Sequence, residues 1–400
     1  MRGSPTVSHY PFVEIRPDVF RGMALRVKEW RAARLQDPVA RLQFLQGKKA
    51  SPSPAKRSAA LRHLPAPAIT IGLALTGAMI LRPWAPSHAA RATSQPRVIR
   101  EQSSPLNPNA PSRVWLVETT RQSDLYSNGL RVENQFEVAT AARNYLAYAR
   151  TNTGTLSGTW RSKPAGIVFH TTESHLSPFE ERQNGMLRRE GEGLLEYVSR
   201  QRSYHFVIDR FGRVFRVVQE SDYANHAGNS IWADDDAIYL NLNQSFFGVA
   251  FEAQTNPTGA ALPANPAQIH AARILVEMLR ARYAIPAANC VTHAQVSVNP
   301  SNGRAGYHTD WAANLPYADL GLSDNYQHPL PSVALFGFQA DDALLQAGGA
   351  PLQAAVDAAD SSVQREADLR KLPVERYRRT LLEQYRQAVE TQRRRNRADE

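Results

Sequence analysis

The chain reads as an α/β fold, a mixed β-sheet flanked by helices, and three observations predict it. Two apolar runs of strand length, GIVFH (166–170) and CVTH (290–293), each end in a histidine. Between them NPAQIHAARILVEMLRARY (265–283) carries Ile269, Ala272, Leu275, Val276 and Leu279 at helical steps, with Asn265 as N-cap. YHFVIDRFGRVFRVV (204–218) is two β-rich runs joined at Gly212, the signature of a hairpin. Strands alternating with helices set the helices against the sheet faces.

From the N-terminus, residues 1–63 form a basic segment with 13 Lys and Arg against 4 Asp and Glu. Leu64 to Leu81 then runs 18 residues without a charge, about the minimum to span a bilayer. Arg57 and Arg62 upstream predict a cytoplasmic N-terminus and an N-terminal transmembrane helix acting as a signal anchor. Ser87 and Ala89 offer a cleavage pattern that would instead release the chain. Residues 82–110 hold five prolines and read as linker.

The folded domain is expected over 111–328. RVWLVET (113–119) predicts a strand and QFEVATAARNYLAYAR (135–150) a helix, with Val138, Ala141, Tyr145 and Tyr148 on one face. FFGVAFEAQ (246–254) predicts a further strand. Residues 329–400 are expected to be a helical extension, with Val374, Tyr377, Leu381, Tyr385 and Val389 at helical spacing. The net charge of +10 lies in the ends, +9 over 1–63 and +4 over 361–400, leaving the middle at −3. A nucleic-acid surface on the domain is therefore not expected. A single cysteine, Cys290, excludes an intramolecular disulfide framework.

Histidines at the C-terminal ends of buried strands face the crevice where α/β folds place their sites. His170 and His293 stand there, and GYHTDW (306–311) follows with His308 and Asp310. Two His and one Asp from three segments make a three-ligand zinc set that leaves a position for water. His308 is the competing third ligand. Asp234, Asp235 and Asp236 read as a solvated loop ahead of a Ca²⁺ site, and Cys290 as a small buried hydrophobe.

With these residues in view, 166–310 resembles the zinc-dependent N-acetylmuramoyl-L-alanine amidases of the amidase-2 type, which share a fold with peptidoglycan recognition proteins and T7-type lysozymes. GIVFHTTES resembles that family's first-ligand strand, and YHFVIDRFGRVFRV its hairpin. NHAGNSIW (225–232) resembles its cleft loop, FFGVAFEAQ its central strand, and THAQVSVNPSNGRAGYHTD (292–310) its second and third ligand segment. The resemblance implies Zn²⁺ held by His170, His293 and Asp310, with Tyr204, Glu252 and His308 as catalytic residues. It implies Asn225 and His226 as substrate-binding residues, and peptidoglycan or a muropeptide as substrate. His308 stands where the family carries Lys, and Ala250 where many relatives keep an acidic residue. The inserted segment 173–203 is expected to wall the cleft. The alternatives are a recognition module that holds muropeptide without cutting it, and a zinc amidase for another N-acylated amide. The anchor would put the catalytic domain outside the cytoplasm, in the periplasm or cell envelope.

Overall fold

The computed structural model describes residues 113–150, 157–255 and 262–398. Its strands in chain order begin with β1 Leu116–Thr119, β2 Ser123–Tyr126, β3 Arg131–Glu133, β4 Tyr145–Ala149, β5 Gly158–Arg161 and β6 Gly166–Thr171. They continue with β7 Phe206–Ile208, β8 Val214–Arg216, β9 Ile231–Ala233, β10 Ala237–Leu240, β11 Phe246–Phe251 and β12 Cys290–Thr292. One sheet has the order β1-β2-β3-β8-β7-β11-β6-β12, and β5-β4-β10-β9 form a second. The main helices are α1 Asn184–Gln201, α2 Pro266–Tyr283, α3 Pro331–Phe336, α4 Asp342–Leu369 and α5 Val374–Ala398. This is the mixed sheet flanked by helices that the sequence predicts.

The centre of the large sheet is parallel. β11 pairs with β6 in a register that sets Ala250 beside His170, and β12 pairs with β6 on its other side. GIVFHT and FFGVAF are buried at every position, the pattern of strands covered on both faces. On one face Phe169, Phe206, Val249 and Phe251 share a core with Ala272, Leu275 and Leu279 of α2. On the other, Val207, Phe215 and Ala250 meet Leu195 and Val198 of α1, which the inserted segment supplies. The predicted hairpin is β7 and β8, and Gly212 turns it at φ 78°. A Cβ there would also lie 2.7 Å from the Ala267 carbonyl, so glycine meets two demands at once.

The expected helix over 135–150 is corrected: Tyr145–Ala149 is strand β4, held between β5 and β10. Leu146 and Tyr148 enter the main core, while Tyr145 and Ala147 enter a second one. Burial on both faces removes the polar alternation that marks a strand, and a short apolar run then mimics a helix. The helical extension is present and is not separate from the domain. Val333, Phe336, Phe338, Leu344, Leu352 and Tyr385 belong to the same core as the sheet. Gly349, at φ 65°, breaks α4. The Tyr148 hydroxyl donates to the Ala388 carbonyl at 3.1 Å, and Arg378 of α5 pairs with Asp360 of α4 at 2.7 Å. The apolar run 64–81 lies outside the described residues; among those described, no helix is long and apolar enough to cross a membrane.

Asn265 caps α2 as expected: its side chain accepts from the amides of Ala267 and Gln268, and Gln268 reaches back to complete a capping box. Asn265→Ala is expected to lower stability by about 1 kcal/mol. Urea unfolding of the variant checks it; no change in midpoint would mean the cap carries no load.

Candidate metal centre

Three segments deliver the candidate ligands. His170 is near the C-terminal end of β6. His293 opens a helical turn directly after β12, and Thr292 caps that turn by accepting from the Gln295 amide. Thr292 pairs with Phe169, so His293 emerges beside His170. Asp310 arrives from the following loop, its carbonyl accepting from the Ala294 amide at 3.2 Å. The next residue, Trp311, is buried and packs edge-on against Phe251 with ring centres 5.2 Å apart. The loop upstream is pinned where the His308 amide donates to the Ser297 hydroxyl at 3.0 Å.

All three side chains are buried, and their ligand atoms lie within 4.8 Å of one another. Asp310 Oδ2 is 3.2 Å from His170 Nδ1 and 3.1 Å from His293 Nδ1. Zinc bonds of 2.0–2.2 Å at tetrahedral angles separate neighbouring ligand atoms by about 3.3 Å, so this spacing fits the ion. The charges fit too. Burial, with His293 adding to it, pushes His170 down to about 4, so the ring is neutral at neutral pH. Burial opposes the charge on Asp310, but His293 and His170 outweigh it and hold the carboxyl well below its usual range. Two imidazoles and one carboxylate form a donor set for a divalent cation.

Other predicted residues divide around this cluster. Tyr204 sits at φ 63° with its ring 5.1 Å from His170. Burial, then the nearby Asp310, raises its hydroxyl above the ordinary value. The His308 ring stacks on His293 at 4.4 Å and 18°, and burial pushes it down to about 4. Asp310, not His308, joins the two histidines as the third member of the group. His226 has both ring nitrogens against protein: Nδ1 is 3.1 Å from His170 Nε2, and Nε2 is 3.2 Å from the Phe246 carbonyl. Asn225 is exposed and donates to the Gln201 carbonyl at the end of α1.

Glu252 stands apart. It shares a sheet face with Ala250 and hence with His170. Its Oε2 accepts from the Arg210 amide at 3.1 Å, which draws the carboxyl towards the β7 side of the sheet. His170 meets His293 and Asp310 on the β12 side. Sequence reading missed Glu173, whose charge acts on Tyr204 and whose Oε1 accepts from the Thr171 and Thr255 hydroxyls and the Thr255 amide. Its left-handed φ of 51° has no signature in the sequence.

Weaker candidates resolve cleanly. Asp234 spends one carboxylate oxygen on the amides of Asp236 and Ala237 and the other on Tyr239 and Asn289. It is a turn residue. Cys290 is fully buried, and burial pushes its thiol up to about 12, which removes it as a nucleophile.

The family described as N-acetylmuramoyl-L-alanine amidase matches residues 160–310. No curated protein matches the chain in sequence. Among solved structures, the amidase AmiD from E. coli, in complex with anhydro-N-acetylmuramic acid-L-Ala-D-gamma-Glu-L-Lys, is 18% identical. That match covers 54% of this chain and 97% of AmiD, with a TM-score of 0.33. The amidase LysC from Clostridium intestinale URNW is 19% identical over 46% of this chain and 92% of its own, with a TM-score of 0.25. AmpDh3 from Pseudomonas aeruginosa is 22% identical over 44% and 64%, with a TM-score of 0.30. Likeness at these levels identifies no activity by itself.

Burial raises Glu252 to about 7, with Asp209 adding to it against the Arg210 amide. The folded chain therefore binds this proton more tightly than the unfolded chain. The stability it contributes is full below about pH 4.5 and is lost as pH rises through about 7. Glu252→Gln keeps an acceptor for Arg210 and removes the charge. Its melting temperature is expected to exceed the parent's at pH 8 and to converge with it at pH 5. A difference independent of pH contradicts this.

Proposed function

We propose that the chain is a peptidoglycan amidase, whose family model matches residues 160–310, that His170, His293 and Asp310 form its zinc centre and that Tyr204 and His308 complete the site. The observation that carries this reading is the convergence of three buried ligand atoms, two from the ends of neighbouring parallel strands and one from the loop that follows.

His170, His293 and Asp310 would hold zinc, which when bound would supply Lewis-acid polarisation of the scissile carbonyl and a water acidified towards neutrality. The substrate is the amide joining the lactyl group of N-acetylmuramic acid to L-alanine. Water adds to the carbonyl carbon, the C–N bond breaks, and the products are a lactyl carboxylate and the free amine of L-alanine. Tyr204 keeps its proton across the working pH range and donates a hydrogen bond to the oxygen that gains charge. His308 is a neutral imidazole stacked on His293 and carries the proton from water to the leaving amine. We assign that step to His308 rather than Glu252 because the Glu252 carboxyl is turned to Arg210. The exposed Asn225 and the helix α1 are offered as the walls that meet the peptide stem.

We also propose that residues 64–81 anchor the chain with its catalytic domain outside the cytoplasm. The uncharged run and the Lys and Arg before it support this. Fractionation of the full chain beside a form lacking 64–81 tests it; equal recovery of both in the soluble fraction overturns it.

Digestion of purified peptidoglycan tests the activity. The parent chain should release free L-alanine amino termini, lose this on zinc chelation and regain it with added zinc. Asp310→Ala should lose about 10³-fold or more, and His308→Ala about 10²- to 10⁴-fold with zinc still bound. Binding of muropeptide by the parent chain with no product and no metal would establish a recognition module instead.

A further inference from the structure

The loop NHAGNSIW supplies a histidine that the catalytic scheme leaves unused, and its hydrogen bonds have only one consistent direction when both rings are uncharged. His226 Nε2 lies 3.2 Å from the Phe246 carbonyl, and a carbonyl can only accept. His226 Nε2 therefore carries the hydrogen. An uncharged imidazole has one N–H, so His226 Nδ1 is an acceptor, and His170 Nε2, 3.1 Å away, must donate to it. The remaining nitrogen of His170, Nδ1, is then a bare lone pair. It is also the nitrogen that faces Asp310 Oδ2 at 3.2 Å. A lone pair aimed at a carboxylate oxygen is repulsive unless a cation lies between them.

The position of His226 is itself built. Its amide, and those of Ala227 and Gly228, donate to the side-chain oxygen of Asn243. Its ring fills the space over Gly248, where a Cβ would stand 2.6 Å from His226 Cγ. Gly248 in turn donates its amide to the buried His205 Nδ1 at 3.0 Å. The strand is thus fixed from below and the ring from above.

We propose that His226 is a positioning residue for the metal: it holds His170 as the Nε2–H tautomer, so that Nδ1 is always presented as a ligand. This rests on the zinc reading of the centre. Partners of this kind orient a ligand ring and raise its basicity, and their loss typically weakens metal binding about 10- to 100-fold.

The test is the zinc dissociation constant of the purified full-length protein, measured by competition with a fluorescent chelator. His226→Ala should bind zinc about 10- to 100-fold more weakly than the parent. His226→Asn, whose amide oxygen can accept at the Nδ1 position, should recover most of that loss. Cobalt substitution should shift the visible spectrum in His226→Ala and leave it close to the parent's in His226→Asn. Unchanged zinc affinity in His226→Ala with a raised KM overturns the proposal in favour of direct substrate contact. Should the alanine variant fail to fold, ¹⁵N imidazole spectra of the zinc-loaded parent decide it. Nε2–H signals for both His170 and His226 support the proposal, and an Nδ1–H tautomer at His226 overturns it. A parent chain that takes up no zinc overturns the metal reading and this inference together, whereas zinc uptake unaffected by His226→Ala removes this inference alone.

Discussion

A single buried negative charge organises this molecule. Asp310 is 8% exposed, and a carboxylate taken out of water is costly unless charge and hydrogen-bond donors meet it. Here it is met by the Nδ1 atoms of two imidazoles, of which burial keeps the His170 ring neutral. The three ligand atoms converge as a donor set that a cation would complete. The neighbouring structure serves to hold that arrangement. The parallel pairing of β6 with β12 brings the two histidines together, and Trp311, locked against Phe251, fixes where the Asp310 backbone can lie.

The same economy explains the glycine in the middle of β11. An interior strand glycine weakens a strand by giving it nothing to pack. Gly248 is kept at that cost because the ring of His226 occupies the place of a side chain, and because its amide serves His205. Ala250, one step along the same face, packs against the hydrophobic underside of α1. The strand therefore carries no carboxylate at the level of His170, and the acidic residue it does carry, Glu252, is drawn off to the hairpin turn at Arg210.

Much of this was legible in the sequence because the informative residues sit at element ends. The strands around His170 and His293, the hairpin at Gly212 and the cap at Asn265 were readable from local chemistry. The candidate metal group of His170, His293 and Asp310 was readable because its members follow turn or strand-end signals. What escaped reading depends on distant chain. Tyr145 and Tyr148 form a strand because β5 and β10 lie on either side, which no local pattern records. Glu252 was placed on the correct face, but its tilt is set by an amide 42 residues away. The direction of a hydrogen bond through two histidines requires knowing that a carbonyl stands at the end of the line.

The loop that carries Asp310 also leans on the last part of the chain. Gly306, at φ 82°, sits against Leu344, and the Asp341 amide donates to the Ala305 carbonyl at 2.9 Å. Tyr148 reaches across 240 residues to Ala388. The Tyr148 contact is of very high sequence separation, and such contacts close late because the intervening loop entropy must be overcome first. During synthesis the three ligands are all present well before the helices that brace them. A growing chain can therefore expose its metal-binding side chains without yet holding them in place.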